Sequence, residues 1–537
     1  MLLLPCDTRP PTLEHVAQLG RVCGVRVLTP PLGLLNHLNL PGDPAALGAW
    51  LLEHAPLAAA AVVSLETLCL GGMIPARRSS VPLEEAARHL EVLREVKRRH
   101  PHLLLLASGV VVRVAHGNDP HEEKPYYGQY GDALRAVSER LDLIDLGQSP
   151  ADWEEVRGQV PADLLHDWLD TRERNHALHQ QAIELLHGGV LDHLALTLDD
   201  TTPVGLAARD RRGLEARLDA LGLWQRAELY CGADEVAATL LARLVAGWTR
   251  RAPQVYVRYP GVGCAGASLL YEDCPLAELV KAHLRAAGCV AASSPESADF
   301  VLAVNAPAFS QAHEQPDRRT VDTPARNLPE FLDTLGRDLE AGRLVVVADV
   351  AYPNGAERRF GDLLRQRGWL HQLSGYSAWN TAGNTLGTAI SAGVCAWQSR
   401  AGQSWAGQDR DDLARVEALF SRLIDDDLYQ SRVRPRLKVL LGGLDGTDPN
   451  SYDLGDQLPR AEALLRDLWP PLAQKLWDEQ FAPHVAATLD LGTPHLAWPR
   501  LFTGVFPVRI RPTEDGADLL VREGVEGKPQ IKSLDCS

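Results

Sequence analysis

The sequence predicts an α/β protein of two lobes with mainly parallel sheets, followed by a mostly helical C-terminal region. Three observations predict it. Apolar runs of strand length alternate with amphipathic stretches of helix length from the first residues onward, the pattern of strands joined by helical crossovers. The pattern restarts near residues 250–255, which divides an N-terminal α/β domain at 1–250 from a second one at 251–400. Beyond about 401 the sequence turns helical and charged, and 401–537 closes on a hairpin-like stretch at roughly 501–525. A chain of 537 residues is long enough for several such cores.

In the first domain, residues 2–4 form a strand that ends at Cys6-Asp7-Thr8-Arg9-Pro10-Pro11, and a helix over about 12–23 follows. Residues 25–28 read as a second strand, stopped by Pro30-Pro31. A helix over 43–54 leads to a strand at 58–64, and after Gly71-Gly72 a single charged helix is expected over 83–99. The strand at 103–107 gives way to the polar stretch VRVAHGNDPHEEKPYYGQYG, too long for a mere connection and therefore a candidate lid. Helical sequence then runs to about 186, the run LALTL ends at Asp199-Asp200, a helix covers about 209–221, and a strand at 228–231 ends at Gly232-Ala233-Asp234-Glu235. Six strands fit either a doubly wound open sheet or a barrel-like one.

In the second domain, strands are expected at 255–259, 290–292, 300–305, 344–350 and 373–379, with helices over 275–287, 328–340, 357–367 and 385–396, a flavodoxin-like content. One GxGxxG match, Gly261, Gly263 and Gly266, follows the first of these strands, but Pro275 cuts short any helix opening there, so it reads as a turn and implies no cofactor.

The formal charge of −16 argues against a nucleic-acid or anionic-membrane partner, because both reward a basic surface. The nine cysteines show neither a CxxC pair nor zinc-site spacing, so they read as free thiols of a reducing compartment. The opening MLLLPCDTRPP lacks a basic n-region, and no apolar run reaches the ~20 residues of a membrane span. The expectation is a cytoplasmic protein that handles a small molecule, with no P-loop, HExxH or GxSxG motif to name its chemistry.

Candidate site residues follow from the strand ends. In parallel sheets ligands gather beyond the carboxyl ends of the strands, and there stand Asp7, Glu66, Asp199, Asp200, Asp234 and Glu235, with Arg9 in the first of these turns. Asp199, Asp200, Asp234 and Glu235 are the candidate catalytic acids; the competing reading is that Asp200 or Thr201 caps a helix and Asp199 pairs with an arginine. Arg77, after GGMIPA, is placed to clamp an anionic substrate group. In GYSAWNTAGNTLG, Trp379, Asn380, Thr381 and Asn384 are candidate substrate contacts at a helix N-terminus, where the small residues admit a ligand. Asp349 closes a buried strand and needs a partner, while Asn354-Gly355 is a turn signal that also brings Asn354 into the substrate-binding set. His116, Asp119, His121 and Glu122 match no established metal spacing, and no metal is expected there.

Six stretches, PCDTRPP, SLETLCLGGMIPARRS, LTLDDTTPVG, YCGADE, ADVAYPNG and GYSAWNTAGNTLG, occur in the order of the blocks of a bacterial family catalogued as domain of unknown function 4127, and over roughly 1–400 the chain resembles that family. It departs at Glu66, where aspartate is usual, and at Ser377, where glycine is common. The resemblance implies no activity.

From the residues, the expectation is a carboxylate-dependent hydrolase acting on a glycosidic bond, with Asp200 as general acid/base and Asp199 orienting the substrate, an arrangement that resembles substrate-assisted N-acetylglucosaminidases. The alternatives are a metal-dependent hydrolase or phosphoryl-processing enzyme built on Asp7, Asp199, Asp234 and Asp349, and a non-catalytic two-lobed binder.

Overall fold

The computed structural model describes every residue except 119, 314, 316–324, 403–407, 443–452 and 514–537, and the side chains at 402 and 408–411. Two five-stranded, all-parallel sheets carry the fold. The first consists of β1 (Leu2–Leu4), β2 (Ala60–Ser64), β3 (Leu104–Val111), β4 (His193–Leu198) and β5 (Ala227–Cys231), each paired with the next in sequence. That order is a barrel's, yet β1 and β5 remain edges, so the sheet is open.

The sixth strand expected here, at 25–28, does not form. Leu28 makes a single parallel bridge to Leu2, and the prolines at 30 and 31 remove the N–H groups that would extend it. The helix expected over 83–99 is two, Leu83–Arg88 and Glu91–Arg99.

The second sheet contains β6 (Gln254–Arg258), β7 (Val290–Ala291), β8 (Phe300–Asn305), β9 (Leu344–Asp349) and β10 (Gly375–Ser377) in the order β7-β6-β8-β9-β10, the flavodoxin-like order. The glycine-rich stretch forms one short turn of 3₁₀ helix, Val262–Gly266, and the next helix, Leu276–Ala286, starts only after Pro275.

Alternation along the strands decides what packs where. Leu3, Val62, Leu106 and Ala195 of the first sheet and Phe300, Leu302, Val304 and Val346 of the second share one core, filled by the helices Glu14–Val22, Val236–Thr249, Leu276–Ala286 and Ala382–Gly402. The alternate residues face outward. Leu2, Leu4, Ala61 and Val63 bury against flanking helices of the first lobe. Val301, Ala303, Val345 and Val347 bury against the C-terminal region, which includes Phe420, Trp469 and Trp477.

That C-terminal region is mainly helical, with helices Arg434–Leu441 and Leu458–Gln480, and ends in an antiparallel ribbon. β11 (Ala487–Leu491) pairs with β14 (Val508–Pro512), and β12 (His495–Leu496) with β13 (Gly504–Val505). The ribbon therefore begins earlier than the expected 501–525, of which 514–525 lie outside the described residues. Among the described residues no helix is long and apolar enough to cross a membrane.

Candidate active site

The carboxyl ends of both sheets and the loop between β12 and β13 converge on a cavity of about 220 Å³. Of the residues expected at a site, Arg9, Arg77, Asp199, Asp200, Asp234, Asn354, Asn380 and Thr381 line it. They come from the segments after β1, β2, β4, β5, β9 and β10, Arg77 from a short helix Met73–Arg78, so the two lobes contribute to one pocket. The stretch after β3 adds Arg113, His116 and Glu122, and the C-terminal region adds Arg434, Trp498, Arg500 and Phe502.

Charged groups in the walls are interlocked. Arg9, buried, donates Nε to Asp7 Oδ2 at 2.8 Å and Nη1 to Asp234 Oδ2 at 3.2 Å. Its guanidinium lies 5.5 Å over Trp379 and 4.9 Å over Trp498. Arg77 pairs with Asp199 and reaches Glu122 at 3.2 Å. Arg113 donates to Asp200 at 3.1 Å, Glu122 at 2.7 Å and Glu123 at 3.0 Å, while Arg500 also pairs with Glu122. Buried charges in such company are compensated by hydrogen-bonded partners.

Asp200 stands apart among these acids. Its side chain is the least buried of the four carboxylates that line the cavity, at 17% against 10% for Asp199, 8% for Glu122 and 3% for Asp234. Its carboxyl is pushed up to about 6, by its low-dielectric surroundings and then by the Asp199 charge, against the opposing pull of Arg113 and Arg77. Its backbone has φ +40°. Tyr271, Asn354 and Asn380, all of which line the cavity, have φ of +69°, +60° and +65°. Four of the six non-glycine residues described with positive φ thus border this pocket, and strained backbone held by its surroundings concentrates at functional sites. Tyr271 is fixed there by its carbonyl, which accepts from Thr201 N at 3.0 Å.

The remaining expected residues support the pocket without lining it. Asp7 holds Arg9, and Asn384 Oδ1 accepts from Asp234 N at 2.8 Å, fixing the turn after β5. Asn380 Nδ2 donates to Asp234 Oδ2 at 2.8 Å, which joins that turn to the other lobe. Glu235 points into the core, one carboxylate oxygen accepting from Ala233 N at 2.9 Å; burial pushes its carboxyl up to about 8. The Trp379 ring is buried beneath Arg9.

Two candidates lie elsewhere. Glu66 accepts from Val110 N at 2.7 Å and sits 3.0 Å from His179 Nε2, joining the ends of β2 and β3. Asp349 accepts from Asn305 Nδ2 and Glu357 N, both at 2.8 Å, and so shapes the loop that carries Asn354.

The helix N-terminus at 382 is not open to an external anion. Gly383 N donates to Glu272 Oε1 at 2.7 Å, so the chain supplies its own carboxylate. The small residues that follow serve packing: a Cβ at Gly387 would collide with Glu235 Cγ. Nor do the four aspartates expected to gather a hard cation meet. Asp7 and Asp234 enclose the Arg9 guanidinium, Asp199 is paired with Arg77, and Asp349 belongs to its own network. His116 and Glu122 do reach the cavity, while Asp119 lies outside the described residues.

Sequence reasoning missed Arg113, Tyr271, Arg434, Trp498, Arg500 and Phe502 as pocket residues. The only signal for the last group is the spacing of Trp498, Arg500 and Phe502 at every second position in a short turn-flanked stretch. A sequence model of the family described as "Protein of unknown function (DUF4127)" matches residues 1–506. No curated protein and no solved structure matches the chain.

Proposed function

The chain belongs to this family of proteins of unknown function, and from that premise we propose that it is a carboxylate-dependent hydrolase of a glycosidic bond, with Asp200 as the general acid/base. The observation that carries the reading is the pairing of an accessible carboxyl, pushed up to about 6, with a neighbouring Asp199 locked onto Arg77. Two adjacent acids in unlike surroundings can take unlike roles, one moving a proton and one holding a fixed orientation.

In the proposed reaction Asp200 gives its proton to the leaving oxygen as the bond to the anomeric carbon breaks. It then takes a proton from the water that adds to that carbon, which restores the acid. Asp199 holds the substrate, Asn354 and Asn380 offer hydrogen bonds, and the ring of Tyr271 offers a flat face of the kind a sugar ring packs on. A pocket closed by groups from both lobes also favours an enclosed small substrate over a polymer threaded through an open groove.

The test compares the protein with Asp200→Asn across a panel of glycosides, with release of the sugar as the readout. Asparagine tolerates the same positive φ, so the variant should melt as the parent does. Loss of turnover by about 10²-fold or more supports the assignment. Full turnover in Asp200→Asn refutes it, and ligand-induced stabilisation without bond cleavage in the parent protein points to the two-lobed binder instead.

A further inference from the structure

We propose that Cys231, Asp273 and Cys274 form a binding site for a thiophilic divalent cation of the Zn²⁺ class. Cys231 closes β5, and Asp273-Cys274 lie in the segment that brings Tyr271 to the pocket. The two sulfurs and one Asp273 carboxylate oxygen all lie within 4.8 Å of one another. With metal–ligand distances of about 2.0–2.3 Å, a small side-chain adjustment lets one ion touch all three.

The arrangement around these groups suits a cation. Cys231 Sγ donates to Asp273 Oδ1 at 3.0 Å, so the carboxylate oxygen already faces the thiol that a metal would deprotonate. The other oxygen, Oδ2, accepts from Arg211 Nη1 at 2.7 Å, which orients the ligand from behind. Two thiolates and one carboxylate against a divalent ion leave a single negative charge, which Arg211, shared with Glu215, partly offsets. Cys274 is only partly buried, so an ion has a path in and a solvent water as its fourth ligand. The chain's other neighbouring thiols, Cys23 and Cys395, have no third ligand among the described residues.

A cation here would brace the active-site walls. It would join the end of β5, which leads directly into Asp234, to the segment whose Tyr271 carbonyl holds Thr201 beside Asp200.

The test uses the full chain, reduced and stripped of metal, titrated with Co²⁺ and then Zn²⁺. Thiolate-to-cobalt absorption and metal content after gel filtration are the readouts. The expected result is about one ion per chain, with affinity lowered at least ~10-fold in Cys274→Ser and in Asp273→Asn and unchanged in Cys23→Ser. Cys274 is the partly exposed ligand, so its variant is the one expected to fold, and Asp273→Asn tests the same site while leaving both thiols in place. No uptake by the reduced protein overturns the proposal, as does equal uptake by both ligand variants. A Cys231–Cys274 disulfide that persists after reduction also overturns it. None of these results depends on turnover, so failure here leaves the role of Asp200 untouched.

Discussion

Arg113 Nη1 donates to the Asp200 carboxylate at 3.1 Å, and this contact ties the paired-acid turn after β4 to the long polar loop after β3. The loop expected to act as a lid is thus a wall of the pocket, held by Arg113 against Asp200 and braced within itself by the pairs of Arg113 with Glu122 and Glu123. The arginine charge favours the ionised form of Asp200 and so holds down a carboxyl that its surroundings push up to about 6.

A pH dependence follows with a defined sign. If Asp200 acts as the proton donor, kcat/KM falls as pH rises through about 6, where that proton is lost. Replacing Arg113 by Met removes a charge that stabilises the carboxylate, so Asp200 keeps its proton to higher pH and the falling limb moves up by about 1 unit. The pH profiles of the two proteins check it. A limb that stays in place, or moves down, removes Asp200 from the acid role.

Arg9 is the cation of a buried Asp7–Arg9–Asp234 triad, and its removal leaves two carboxylates facing each other without compensation. Arg9→Met should cost about 3–5 kcal/mol of stability. The triple variant Arg9→Met, Asp7→Asn, Asp234→Asn should recover much of that loss, because no uncompensated charge remains. Urea denaturation of both variants measures the difference, and equal losses would locate the cost in packing around Trp379 and Trp498 instead.

Much of the fold is written locally. Strand-length apolar runs alternate, and the same alternation sorts Leu3 to the shared core and Leu2 and Leu4 to the outer one. The strands of the second sheet and the extent of most helices were readable for the same reason. The site was readable mainly where a charged or polar residue follows a strand. That rule found Asp199, Asp200 and Asp234, but it also selected Glu66 and Asp349, whose oxygens are taken by backbone N–H groups that no local pattern reveals. Arg434, Trp498, Arg500 and Phe502 reach the pocket through tertiary folding of the C-terminal ribbon and helices, which leaves no local trace beyond the every-second-position spacing of the last three. Positive φ at Asp200 and Tyr271 is likewise imposed by long-range contacts, such as the Thr201–Tyr271 hydrogen bond.

Gly387 offers a test of the packing between the lobes. It sits in the helix Ala382–Gly402, and a Cβ there would meet Glu235 Cγ and come within 3.1 Å of His283 Nδ1 and Thr239 Oγ1. In an open helix, alanine would stabilise by about 1 kcal/mol over glycine. Here overpacking wins, and Gly387→Ala should destabilise by about 1–3 kcal/mol. Thermal unfolding decides the sign, and a stabilised variant would mean that Glu235 moves aside at little cost.

Glu235 itself should set part of the pH dependence of stability. One oxygen accepts from Ala233 N, the other has no hydrogen-bond partner, and His283 Nδ1 lies 3.8 Å away. Burial pushes the carboxyl from its ordinary 4.5 up to about 8, so the native state keeps a proton that the unfolded chain releases. The folded protein is therefore favoured at the acid end of that window and loses stability as pH rises from about 4.5 to about 8, at up to about 1.4 kcal/mol per unit. Glutamine carries no such proton. Glu235→Gln should match the parent near the acid end and exceed it by a few kcal/mol at the alkaline end. Asp200, pushed up to about 6, and Asp349 and Asp425, each pushed up to about 7, add to the remaining slope in the same direction. Denaturation midpoints taken across this window test the claim, and an unchanged slope in Glu235→Gln would mean that Glu235 is ionised in the folded protein.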